Sequence, residues 1–499
     1  MTKTDGHLGL DELLGDVEWQ AVAGDASVPV RDIAYDSRKA APGDVFVALP
    51  GRLHDGHDHI GDALDQGVRT FVVERWTDGL PHTGLVIAQV ASTRHALAMM
   101  SRRYFGFPET RLTVVALTGT KGKTTTSYML SAILTAAGTP VGLIGSNGVD
   151  YAGTHVKLPN TTPESYELNR IMAAMADAGV RVLVMEATSQ GFEMHRTDGV
   201  HFDIGVFTNI SPDHISATEH ASFADYLAAK QRIFTQSGVV LVNRDAELFD
   251  DMVAGAGCPL ITYGQHADAD YRGHDLVPVR AGHHVSTTFW CHHGESDRKY
   301  AVALPGEFNV SDGLAALAVA DRLGVSDADI VAGLAVARAP GRMEELDVPA
   351  PYTVLIDFAH NGLSMQAAVD AVRAYEPARI LAVFGLEGDR SRVRRFDCGE
   401  VLGREVDFTI LADASPRFDD PDQILADIAT GIERAGGTGK YAIIRDRHDA
   451  IPAILDMAGP GDIVLIIGKG AVPYEEVMGV NTPLDEHDIV REYFARKAG

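Results

Sequence analysis

The densest chemistry in the chain lies in Thr113-Val114-Val115-Ala116-Leu117-Thr118-Gly119-Thr120-Lys121-Gly122-Lys123-Thr124-Thr125-Thr126. An apolar run of strand length ends in a glycine turn, and a helical pattern starts at Lys123. Backbone N–H groups in such a turn point at phosphate oxygens, and the helix N-terminus adds about half a positive charge. Lys123 would reach terminal phosphates, and the hydroxyl of Thr124 or Thr125 would ligate Mg²⁺. Gly119, Thr120, Lys121 and Gly122 complete the cradle. The spacing departs from the general phosphate loop, because Leu117 stands at the first glycine position and Gly119 takes the turn. A second signal is Glu186 in Met185-Glu186-Ala187-Thr188-Ser189-Gln190-Gly191. It closes an apolar strand, where a carboxylate is costly unless paired; Mg²⁺ is a fitting partner.

Positioning these groups takes alternating strands and helices. Apolar runs predict strands at 182–185, 204–208 and 239–242, with helices over 123–137, 163–178 and 223–234. The last third alternates most regularly. Strands are expected at 353–358, 380–384, 408–411, 442–444 and 463–467, with helices near 363–374, 395–404, 421–435 and 448–458. That order predicts a doubly wound, mostly parallel sheet with ligands at its carboxyl edge. Pro/Gly punctuation at Phe105-Gly106-Phe107-Pro108 and Ala339-Pro340-Gly341 sets boundaries near 108 and 340. The fold class expected is α/β in three domains: a small domain at 1–108, a central phosphate-loop domain with a parallel sheet at 109–340, and a Rossmann-like doubly wound domain at 341–499.

Composition narrows the function. The 499 residues hold 43 Lys+Arg against 69 Asp+Glu, a net charge of −26 that argues against nucleic acid or an anionic membrane as partner. Three scattered cysteines, Cys258, Cys291 and Cys398, make no disulfide framework and fit a reducing, cytoplasmic compartment. No secretory signal and no apolar run of ~20 residues is found, so neither export nor a membrane span is expected. His54-Asp55-Gly56-His57-Asp58-His59 reads as a polar loop. The group His283, His284, Cys291, His292 and His293 reads as a poor zinc site, since neighbouring strand residues face opposite sides.

The short Gly-Thr-x-Gly-Lys-Thr loop resembles that of the Mur ligase family, ATP-dependent amide-forming enzymes, and the resemblance runs over essentially the whole chain. It is nearest to the UDP-N-acetylmuramoyl-tripeptide synthetases, which add the third residue of the peptidoglycan stem peptide. Tyr35-Asp36-Ser37-Arg38 and Pro42-Gly43-Asp44-Val45-Phe46 resemble the family's uridine-nucleotide start, which implies that Ser37 contacts the UDP-sugar. Asn160-Thr161-Thr162-Pro163, Thr188, Ser189 and Arg196 match positions that touch the muramoyl-dipeptide. Asn and Thr ahead of Pro also make a helix N-cap, and both roles are compatible.

The resemblance further implies Mg²⁺ ligation by Thr124, Glu186 and His214, and by Lys230 as a carbamate. It assigns Asn309 to adenine, Arg342 to the γ-phosphate, and Asp357 with His360 to closing over the nucleotide. The catalytic set it implies is Lys123, Lys230, Arg342 and His214. Arg390, Ser415 and Arg417 match positions that hold the incoming amino acid. Gln190 replaces a usual His, and Ala414, Ala471 and Val472 replace the polar groups of diaminopimelate-adding enzymes. These departures favour L-lysine or a similar diamino acid as third residue. The implied reaction joins UDP-MurNAc-L-Ala-D-Glu to a free amino acid through an acyl phosphate, by a cytoplasmic monomer using ATP and Mg²⁺. Two alternatives stand beside it: another Mur-type amide ligase such as a folylpolyglutamate-like enzyme, and a catalytically weakened relative that binds nucleotide or UDP-sugar as a regulator.

Overall fold

The computed structural model describes residues 8–51, 54–212, 215 and 219–498. The chain folds as two compact units, Met1–Ser127 with Ala137–Thr262, and Tyr128–Ala136 with Tyr263–Gly499.

The first unit holds two sheets. One is five-stranded, in the order Trp19–Ala23, Val86–Val90, Thr70–Val73, Val45–Val47, Ile33–Ala34, parallel except for its first pair. The helix Thr93–Tyr104, capped by Ser92, lays Ala96, Leu97 and Met100 on the face formed by Val45, Val47, Val72 and Ala88. The other sheet runs Ser237–Asn243, Phe202–Phe207, Thr113–Thr118, Val182–Glu186, Val141–Gly145, all parallel, and ends in the antiparallel strands Gly148–Tyr151 and Thr154–Val156. These central strands are apolar on both faces, as a covered parallel sheet requires. Tyr166 donates to Asp32 Oδ1 (2.7 Å) and Tyr35 to Glu167 Oε2 (2.5 Å), tying the helix Ser165–Asp177 to the first sheet.

The second unit contains the antiparallel strands Tyr271–Ala281, His284–His293 and Ser296–Val302. It also contains a six-stranded sheet in the order Glu344–Leu346, Thr353–Asp357, Ile463–Ile467, Ile380–Phe384, Phe408–Leu411, Tyr441–Ile443, parallel beyond its first pair. Strand residues alternate between two cores. Leu355, Ile463, Leu465 and Ile467 pack with the helices Gly362–Arg373, Val393–Glu405 and Pro421–Arg434. Val354, Ile356, Val464 and Ile466 pack with Arg447–Met457 and Glu486–Ala498. This is the doubly wound arrangement that the alternation in sequence predicts. One expected helix differs: 223–234 is two pieces, Phe223–Gln231 and Ile233–Gln236, meeting at Arg232, whose guanidinium reaches Asp198 (2.7 Å) and the Phe192 carbonyl.

Candidate active site

The phosphate loop is held from below. Gly119 has φ +143°, and a Cβ there would lie 1.9 Å from Thr208 Oγ1, so only glycine lets the loop cross the next strand. Thr208 donates to the Lys121 carbonyl (2.6 Å), and Asn209 Oδ1 accepts the Lys121 N–H (2.9 Å). Thr120 shares a hydrogen bond with the buried Tyr226 hydroxyl (3.0 Å). Beyond Gly122, at φ +87°, the helix Lys123–Ala136 starts, with Thr124 and Thr125 buried in its first turn. Lys123 Nζ donates to the Gly119 carbonyl at 2.9 Å. Buried Lys230 donates to the same oxygen at 2.8 Å, its ammonium 4.8 Å from the centre of the Tyr226 ring.

Glu186 ends its strand facing this loop. Its Oε1 accepts from Thr124 Oγ1 (2.9 Å) and the Ser146 N–H (3.0 Å), and its Oε2 from Ser146 Oγ (3.2 Å). A loop hydroxyl and a buried carboxylate in direct contact form an oxygen donor set that suits Mg²⁺. His214, expected as a further ligand, lies outside the described residues.

Several of the residues expected to touch the acid substrate lie by the same strand end. Thr162, fully buried, donates to the Glu186 carbonyl (2.9 Å) and accepts from the Thr188 N–H (3.0 Å). Thr188 caps the short helix Ser189–Glu193. Arg196 is clasped by Glu164 (2.7 Å) and donates to the Thr162 carbonyl (3.0 Å). Thr161 reaches Ser146 (3.2 Å), and Asn160 is exposed. Ser37 is buried in a tight turn capped by Asp36.

In the second unit, the Asn309 amide donates to the Pro305 carbonyl (2.6 Å), while its buried Oδ1 has no partner among the described residues, an acceptor suited to an exocyclic amine. Gly341, at φ +69°, abuts Gly470 and Ala471. Asp357 accepts the N–H groups of Met343 (2.8 Å) and Ala359 (2.7 Å), and burial pushes its carboxyl up against the opposing pull of Arg342. Arg342 stacks on the Phe358 ring, 4.4 Å away. Arg417 lies between Glu387 (3.0 Å) and Glu476 (3.4 Å), with Arg390 4.0 Å from Glu387. Ser415 accepts the Glu476 N–H (3.1 Å).

Sequence reasoning missed Ser146, Glu164, His220, Tyr226 and Glu387. Glu164, directly after Asn160–Pro163, Glu387, three residues before Arg390, and Tyr226, one helical turn before Lys230, stood where their neighbours could have drawn attention to them; Ser146 and His220 did not. The histidine readings have clear structural counterparts. His57 is buried in a short 3-10 helix and satisfied by Asp55 (2.7 Å) and the Glu74 N–H (3.0 Å). Across the hairpin, Cys291 is buried with its thiol pushed up to about 12, whereas His293 stacks on Tyr271.

A glycine-turned phosphate cradle on a parallel sheet, with a carboxylate touching the loop threonine, defines a P-loop phosphate-binding α/β protein. The chain matches a Mur ligase catalytic domain over residues 29–105, the Mur ligase middle domain over 117–320 and the glutamate ligase domain over 341–470. A Clostridium perfringens UDP-N-acetylmuramoyl-L-alanyl-D-glutamate–2,6-diaminopimelate ligase is 32% identical over 495 residues, covering 98% of this chain and 100% of its own. The Streptomyces avermitilis protein of that name is 34% identical, covering 95% of each chain. A solved structure of a ligase so named superposes with a TM-score of 0.70 at 26% identity, over 99% of this chain and 100% of its own. The chain belongs to the Mur ligase family, whose members form amide bonds between an acid and an amino acid. Among the described residues, no helix is long and apolar enough to cross a membrane.

Proposed function

We propose that this chain adds the third residue, a diamino acid, to UDP-MurNAc-L-Ala-D-Glu in peptidoglycan synthesis, using ATP and Mg²⁺. The observation that carries it is the Thr124–Glu186 contact, which fixes a metal-type oxygen pair at the mouth of the phosphate loop. A carboxylate is a poor electrophile. Transfer of the γ-phosphoryl group to it gives an acyl phosphate; the amine then attacks the acyl carbon and phosphate leaves. Lys123 and Arg342 supply positive charge toward the transferring phosphoryl group; Mg²⁺, which Thr124 and Glu186 with His214 and a carbamylated Lys230 would hold, would supply the remaining charge neutralisation. Gly119, Thr120, Lys121, Gly122 and Thr125 cradle phosphates, and Asn309 and Asp357 serve the nucleotide. Ser37, Asn160, Thr161, Thr162, Thr188, Ser189 and Arg196 serve the UDP-sugar peptide. The reading divides the chain at 108 and 340 and places a monomer in the cytoplasm.

For the third residue, L-lysine or ornithine is favoured over the 2,6-diaminopimelate in the names of the relatives. Diaminopimelate carries an extra distal carboxylate that needs a free cation. Positions 414, 471 and 472, where diaminopimelate-adding enzymes carry polar groups, are apolar and add no such cation. Phosphate release from ATP/Mg²⁺ with UDP-MurNAc-L-Ala-D-Glu and a panel of amino acids, with product mass, tests the whole reading. Release with one diamino acid, lost in Lys123→Ala, supports it. Release with no amino acid refutes the ligase assignment, and diaminopimelate as the sole acceptor refutes the lysine preference.

A further inference from the structure

His220 is a buried imidazole that the reaction above does not use. Its Nε2 is 2.9 Å from Ser189 Oγ, and its Nδ1 is 3.5 Å from the Glu193 carboxylate. The ring packs on Tyr226, whose centroid is 5.3 Å away and whose hydroxyl is bonded to Thr120 of the phosphate loop. Ser189, itself buried, opens the short helix that Thr188 caps. Histidine and serine therefore meet in the interior, and the His220 ring rests on a tyrosine bonded to the phosphate loop.

A serine hydroxyl has one proton and two lone pairs, and what it offers a substrate depends on what its neighbour takes. If Nε2 accepted the hydroxyl proton, Ser189 would present lone pairs, which repel a carboxylate. If an Nε2–H donates to Oγ, the hydroxyl proton is free to point at a carboxylate. A substrate carboxylate can only accept, so the Ser189 hydroxyl that meets it must donate, and that selects the form of His220 with its proton on Nε2.

We propose that His220 is a positioning residue for the acid substrate: by donating from Nε2 it sets the Ser189 rotor so that the hydroxyl donates to a substrate carboxylate. The proposal rests on Ser189 facing the UDP-sugar peptide and deepens that reading. It assigns His220 no contact with the reacting atoms.

A double-mutant cycle tests it on the full chain: His220→Leu, Ser189→Ala and the pair, with His220→Gln as the conservative variant that keeps an N–H donor. Equilibrium binding of UDP-MurNAc-L-Ala-D-Glu is measured by calorimetry, and KM for each substrate by phosphate release. His220→Leu should weaken UDP-substrate binding roughly 10-fold or more, the worth of one hydrogen bond to a charged group, and leave KM for ATP within about twofold. His220→Gln should restore most of the affinity, and His220→Leu should add nothing once Ser189 is Ala. Additive losses in the cycle, or no rescue by Gln in a variant that melts like the parent, would overturn the proposal. Failure of the ligase reading shows separately, as unimpaired binding in the parent protein without phosphate release.

Discussion

Lys123 and Lys230 present two ammonium groups to one carbonyl oxygen, at 2.9 and 2.8 Å. Two unit charges ~5 Å apart repel by ~3 kcal/mol at an effective dielectric constant of ~20. Converting Lys230 to a carbamate removes that repulsion and turns it into attraction, while the remaining N–H keeps the bond to Gly119. The perturbation is withdrawal of CO₂. In bicarbonate-free buffer at mildly alkaline pH the phosphoryl-transfer rate should fall roughly 100-fold, since each ~1.4 kcal/mol is tenfold, and bicarbonate should restore it. Lys230→Ala should lose the activity and regain part of it with added acetate, which can enter the space left by the side chain. Carbon-13 NMR after incubation with labelled bicarbonate reads the adduct without reference to turnover, and Lys230→Ala should lack its resonance. A parent protein with no carbamate resonance and a rate indifferent to CO₂ would refute the reasoning.

Gly119→Ala should cost about 2–4 kcal/mol of loop integrity, from strain at φ +143° and overlap with Thr208, and lower the affinity for a non-hydrolysable ATP analogue at least ~30-fold by calorimetry. Thr162→Val keeps shape but strands the Glu186 carbonyl and the Thr188 N–H; it should lower stability by about 2–4 kcal/mol in urea unfolding, with Thr162→Ser near the parent. His487, bonded to Glu344 (2.8 Å) and Asp485 (3.0 Å), has its pKa raised to about 9, first by the Glu344 hydrogen bond. A raised folded pKa stabilises fully below the unfolded value near 6.5 and loses that stabilisation as pH rises through about 9. After screening at this partly exposed site the difference is about 1–2 kcal/mol, so melting temperature should drop between pH 6 and 10 in the parent and less in His487→Gln.

The phosphate loop was legible because its logic is local: strand, turn and helix occupy one continuous segment, and glycine marks the positions at φ +143° and +87°. Glu186 was legible because a carboxylate at the end of an apolar strand demands a partner. The doubly wound sheet was legible because its strands and helices alternate with clean periodicity. What could not be read are contacts between residues distant in the chain. Ser146 meets Glu186 from 40 positions away, His220 meets Ser189 from 31, and Arg94 meets Glu164 from 70. Nothing in the sequence around Ser146 or His220 differs from an ordinary polar turn. Arg232 likewise divides a predicted helix with no proline or glycine to announce it.

The cations assigned to substrates are paired before any substrate arrives. Arg196 is fixed by Glu164, and Arg417 by Glu387 and Glu476; Arg342 lies on Phe358 beside Asp357, which is itself held by two backbone N–H groups. A guanidinium has five donors, so a carboxylate on one edge orients the plane and leaves donors for an incoming anion. Pairing weakens the attraction for that anion but removes the rotamer entropy that a loose arginine would lose on binding. The balance favours geometry over affinity, as an acyl-transfer site needs when two substrates must meet at one reactive carbon. It also separates the two kinds of departure in this chain. On the proposed reading, Ala414, Ala471 and Val472 would change what the amino-acid side recognises, whereas Lys123 and the Thr124–Glu186 pair stay at the phosphate loop. That reading expects divergence in specificity with the phosphoryl chemistry kept, and the amino-acid panel separates it from loss of activity.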